Sequence, residues 1–145
     1  MGAMSGRAIT LQALNLRKAP LGGAHLEQAI LNDAHLEGVF LVGAHLEGAF
    51  LTGAHLEGAL LTGAQMAGAI LKDAHLAGAN LWGAHLERAY LWDAHLEGAD
   101  LRGATGLTQE MLDQASGDAN TNLPEGLTRP LQWNVTQPAV ATNKA

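Results

Sequence analysis

Cysteine is absent from the 145 residues, so neither a disulfide framework nor a thiolate metal site can form. Aromatic side chains are scarce, at 4% of a chain that is 48% apolar; most of that apolar content is Ala and Leu. Serine stands only at positions 5 and 116, and no glycine loop leads from a strand into a helix as a phosphate cradle would require. No catalytic residue is assigned on this basis, and an enzyme is not expected. Apolar runs fall well short of the roughly 20 residues that span a bilayer, which argues against a membrane partner. Basic residues are few: eight Lys and Arg stand against fourteen Asp and Glu, a net charge of −6. Nucleic-acid binding rests on cations neutralising phosphates, so direct contact with DNA or RNA is not expected either. Residues 1–8 lack the apolar stretch of a signal peptide and read as a cloning scar or lead-in, which leaves the cytoplasm as the expected compartment.

What the sequence does contain is a period. Leu recurs every fifth position from Leu11 to Leu101, with Met66 as the one substitute. Two residues before it stands a small residue, Ala from 19 to 104 except at Val39. Two residues after it comes Gly or Asp in most repeats, as at Gly43, Gly53, Asp73 and Asp93. A helix turning about 100° per residue would smear such a pattern over every side, and a continuous strand would throw alternate Leu onto opposite faces. The 18 glycines also disfavour a helix, at a cost of roughly 1 kcal/mol for each interior one. A short extended segment followed by a corner fits the period. Leu and the preceding Ala then point inward by strand alternation, and Gly or Asp supplies the turn.

The unit Ala-His-Leu-Glu-Gly, alternating with Ala-x-Leu-x-Gly/Asp, resembles the pentapeptide-repeat family, and nineteen uninterrupted units run from Ile9 to Gly103. The resemblance implies an all-β solenoid, a right-handed quadrilateral parallel β-helix with four pentapeptides to a coil. The segment 9–104 would form this helix, nearly five coils and roughly 20–25 Å long at ~4.8 Å per coil.

A solenoid needs covered ends. Residues 105–133 read as a short C-terminal α-helical cap and turn. Thr108 is placed to cap the helix, Glu110 lies in its first turn, Leu107 and Leu112 have staple spacing, and Gly117 is expected to close it. Leu123-Pro124-Glu125-Gly126-Leu127 reads as a turn, and Trp133 as a residue packing back on the lid. This tail resembles the C-terminal extension of many bacterial pentapeptide-repeat proteins. Residues 134–145 carry no apolar periodicity and read as a disordered tail. Leu14, Arg17, Lys18 and Pro20 break the pattern at the other end, as a first coil that caps itself would.

Sorted by a twenty-residue coil, outward residues fall into four columns. Two are polar: His25, His45, Gln65 and His85 with Glu27, Glu47 and Glu87, and His35, His55, His75 and His95 with Glu37, Glu57 and Glu97. Ala67 and Ala77 interrupt their acidic lines. A third column sets Ile30, Phe50, Ile70 and Tyr90 outward beside Trp92, the candidate interaction face. A fourth sets Phe40 and Leu60 outward beside Val42 and Trp82, a second apolar face. Contiguous exposed apolar groups mark interfaces, although the same groups also stabilise stacked strands against one another.

These readings converge on a non-catalytic structural or interaction protein, a rigid rod offering flat faces to a protein partner or to itself as a homo-oligomer. An alternative follows from the resemblance: some family members mimic duplex DNA and bind DNA gyrase, protecting or inhibiting it in the manner of quinolone resistance. From Ala24 to Gly103 ten acids face three bases, a charge of −7 of the right sign. No cofactor and no metal are assigned, since nothing in the sequence singles out a closed ligand cage among the stacked His. Protonating seven exposed His below about pH 6.5 is expected to set up like-charge ladders and lower stability between pH 7 and 5.

Overall fold

The computed structural model describes residues 9–134. Within the repeats, parallel bridges from Thr10 to Thr105 pair the residue before Leu with the one twenty positions on. Examples are Ile30 with Phe50, Phe50 with Ile70, His35 with His55, and Phe40 with Leu60. A coil is therefore twenty residues and holds four pentapeptides, and the chain winds as a parallel β-solenoid.

The local cause is a turn in every repeat. The amide of the residue three after each Leu donates back to that Leu carbonyl, as from Ala29 to Leu26 and from Ala44 to Leu41, both at 3.0 Å. The third residue of each such turn has positive φ: +66° at Gly43, +59° at Asp33 and +59° at Gln28. This is what a type II turn demands and what Gly accepts without strain. Between turns, the backbone pairs with the coils on either side. Phe50 donates to the Ala29 carbonyl at 2.8 Å, and Leu51 and Gly53 donate to those of Ile70 and Lys72 at 2.8 and 3.0 Å. The amide after each Leu has no backbone acceptor; at Trp82 and Arg102 the side chains of Asn80 and Asp100 accept from it, at 3.0 and 3.1 Å.

Inward residues follow directly. From Leu31 to Leu101 the periodic Leu side chains are 0–2% exposed, and the small residues from Ala34 to Ala84, Val39 included, 0–1%. Met66 is equally buried, its thioether filling a Leu-shaped space. In the first coil Leu11, Leu16 and Leu21 are only half-buried against the coil above.

Helix α1 (Gln109–Asp113) covers the C-terminal end. Thr108 caps it, its hydroxyl accepting from the Met111 amide at 3.1 Å, and Leu112 is fully buried while Met111 and Leu107 pack partly buried against the core. The expected closure by Gly117 is corrected: α1 ends at Gln114 in right-handed helical backbone. Gly117 is required elsewhere, because a Cβ there would come within 2.5 Å of the Trp133 ring. Trp133 does pack onto the cap, 4% exposed and donating from Nε1 to the Ala115 carbonyl at 2.9 Å. The ladder also continues past the repeats, Ser116 bridging His95 and Asn122 bridging Asp100. Thr121, fully buried, donates to the Leu96 carbonyl at 2.8 Å, and the Arg129 guanidinium donates to the carbonyls of Asp118, Ala119 and Thr121. Asn134 belongs to a closing 3-10 turn, Leu131–Asn134, rather than to the tail expected from 134 onward. The expectations for 1–8 and 135–145 lie outside the described residues.

The inward and outward assignment has a direct test. Leu56→Asp should abolish cooperative folding, since an unpaired carboxylate in a dry Leu and Ala interior costs several kcal/mol. Glu57→Lys, on the next residue and outside the core, should leave the circular-dichroism spectrum and the melting cooperativity intact.

Candidate interaction faces

Strand alternation turns the residues flanking each Leu outward, and the coil stacks them in register. Ile30, Phe50, Ile70 and Tyr90 form one bridged file, as expected. Phe50, Tyr90 and Trp92 are 43%, 52% and 47% exposed. Ile30 and Ile70 are half-buried rather than fully water-facing. Tyr90 and Trp92 meet edge to face with ring centroids 6.0 Å apart, a favoured aromatic geometry. Where this file reaches α1, a shallow cleft of about 220 Å³ opens, lined by Arg88, Ala89, Tyr90, Trp92, Glu110, Met111 and Gln114. The cleft was not legible in the repeats, since Glu110, Met111 and Gln114 of its wall come from the non-periodic cap.

The second apolar column is shorter. Phe40, Leu60 and Trp82 are exposed and Val42 half-buried, and above them Asn80 and Asp100 turn it polar. Asp100 there accepts two bonds from the Arg102 guanidinium, at 2.9 and 2.7 Å.

In the polar columns the imidazoles stack. His35, His55, His75 and His95 lie with centroids 4.8–5.1 Å apart and planes within 6°, and His25 and His45 lie 4.5 Å apart. Each of His25, His35, His45, His55 and His95 turns Nδ1 toward the Glu two residues on, at 3.2, 3.3, 3.7, 3.9 and 3.9 Å. His85 reaches Glu87 indirectly: Thr105 Oγ1 lies 3.2 Å from its Nδ1 and donates to Glu87 Oε2 at 2.7 Å. These pairings correct the picture of bare like-charge ladders, because a protonated His meets a carboxylate as well as another His. Ser116 Oγ also approaches His95 Nδ1, at 3.3 Å. That is the same nitrogen that faces Glu97, so the relay through opposite ring nitrogens that activates a serine nucleophile is not built here.

Several carboxylates are held below their ordinary range. For Glu27 the cause is first its own backbone amide and then His25. For Glu37, burial pushes upward but is outweighed by its backbone amide, His35 and the Arg17 charge. For Glu87 the Thr105 hydroxyl leads, and for Asp100 the Arg102 guanidinium. A depressed folded value stabilises the fold above the unfolded value and is lost as pH falls through the folded one. The stability that these glutamates contribute should therefore be lost as the pH falls below about 4.5, the ordinary Glu value. Melting temperatures measured from pH 7 to 3 check this.

The fold, the period of twenty and the stacked outward columns define a repeat solenoid. Comparison with known families gives the class its name. The pentapeptide-repeat model matches residues 11–48, 41–76 and 69–105, eight copies of the repeat, and the chain belongs to this family. A solved pentapeptide-repeat protein of the Arabidopsis thaliana thylakoid lumen is 28% identical, covering 77% of this chain and 79% of its own, with a TM-score of 0.71. A pentapeptide-repeat protein of Nostoc PCC 7120 is 35% identical over 72% of this chain and 77% of its own, with a TM-score of 0.34. A plasmid-mediated fluoroquinolone resistance protein, QnrB1, is 18% identical over 83% and 77%, with a TM-score of 0.39. No curated protein matches the sequence.

Proposed function

We propose that the chain is a non-catalytic interaction module, a right-handed, four-sided rod that engages a protein partner, or a second copy of itself, through the file from Ile30 to Trp92. The observation that supports this reading is the continuity of the file. Phe50 and Tyr90 lie exposed on one line, with Ile30 and Ile70 half-buried in it, and the line ends in the cleft beside α1. Such contiguous apolar surface is uncommon on a soluble monomer. Covering the exposed parts of Phe50, Tyr90 and Trp92, at roughly 1 kcal/mol each, favours association against its entropic cost. The cleft adds an edge of known chemistry, with Arg88 and Glu110 framing two aromatic rings.

The alternative, mimicry of duplex DNA toward gyrase, draws on the negative charge of the repeats. Against it stand the breaks at Ala67 and Ala77 and the pairing of the acidic columns with His rather than their presentation as bare charge. A duplex carries about one charge per 1.7 Å of axis, or roughly a dozen over a rod of ~23 Å.

Light scattering and capture on immobilised protein separate the readings. Phe50→Ser with Ile70→Ser should leave the fold intact and abolish self-association or the retained partner. Gyrase retained equally by wild type and by this variant would favour the mimic instead. A wild-type chain that stays monomeric at high concentration and retains no partner would return the file to the role of coil-stacking residues.

A further inference from the structure

We propose that His55, Glu57 and His75 form a binding site for a divalent transition-metal ion of the zinc type, and that His25, Glu27 and His45 form a second. Each set offers one ligand atom per residue, all lying within 4.8 Å of one another. The backbone pre-arranges them. His55 and His75 are bridged partners on successive coils, their rings stacked at 4.8 Å and 4°. Glu57 lies beyond Leu56 on the same outward surface, its Oε2 3.9 Å from His55 Nδ1. Since residue 77 is Ala, His75 has no carboxylate of its own, and Glu57 serves both rings.

Two observations point to a cation. Glu57 Oε1 is enclosed yet has no hydrogen-bond partner, a condition that costs free energy unless a donor or cation is supplied. One coil below, the equivalent pair of His35 and Glu37 already holds a cation. Arg17 places Nε 3.2 Å from Glu37 Oε1 and Nη2 3.3 Å from His35 Nδ1. At His55, Glu57 and His75 no Lys or Arg is paired among the described residues, so the geometry that receives a guanidinium is open to an ion.

The donor set decides which ion. Two imidazole nitrogens and one carboxylate oxygen, with a fourth position left to water, are what zinc accepts, and copper and nickel share the preference. Calcium and magnesium prefer all-oxygen shells. Bonds of about 2.0–2.2 Å require ligand atoms about 3.3 Å apart, so the rings must tilt from parallel stacking toward the ion. His55 and Glu57 side chains, 33% and 42% exposed, have room to do so without disturbing the ladder.

Calorimetric titration of tag-free protein with zinc chloride at about pH 7.5, where imidazole is available as a ligand, tests the assignment. About two ions per chain should bind, one fewer in His75→Ala, and none in His75→Ala with His45→Ala. Circular dichroism should show every variant folded. Calcium chloride bound as tightly as zinc would overturn the proposal, as would zinc binding that survives loss of both His45 and His75, or no zinc binding by the wild type.

Discussion

Every feature of the molecule depends on one recurrent backbone event, the corner that brings positive φ to each fifth residue. It redirects the strand before a second Leu can emerge on the wrong face. It also aligns the amides that hydrogen-bond the next coil. Glycine adopts that geometry without strain, yet Ala13, Lys18, Gln28 and Arg88 adopt it too, with φ from 57° to 60°. An L-residue in this region costs on the order of 1–2 kcal/mol. The coils above and below therefore hold these corners in place through the ladder, and cooperation between coils outweighs local preference.

Stacking at a fixed interval makes the surface a set of columns, and each column amplifies whatever residue it carries. A single exposed Phe means little, whereas a file of Ile, Phe, Ile and Tyr in register makes a continuous apolar strip. A single His beside a Glu is likewise ordinary, but His over His with a shared carboxylate is a ligand set. The same coil thus places apolar files and two polar stacks on one rod, without competition for side chains.

Much of this was legible in the residues. The inward positions followed from Leu and Ala at their spacing, and the columns followed once a coil of twenty was assumed. The His–Glu pairing was equally available, because residues on either side of an inward Leu share a surface. The cap was less legible. Thr108 announced its role as a helix cap, but Gly117 looked like a helix terminator when its lack of a side chain serves Trp133 instead. Ser116 and Asn122 continue the ladder without the repeat, since backbone pairing imposes no side-chain signature. Arg17 seemed a departure from the pattern, and only its reach across to Glu37 shows what it occupies.

The account stands on the register of twenty, and the absence of native cysteine allows that register to be read by cross-linking. His45 and Gln65 are bridged neighbours, placed at the separation a disulfide can span. His45→Cys with Gln65→Cys should oxidise readily to an intramolecular disulfide in the folded protein, whereas His45→Cys with Ile70→Cys, one repeat further on, should remain reduced. Efficient cross-linking of the second pair and not the first would contradict the coil on which every other conclusion rests.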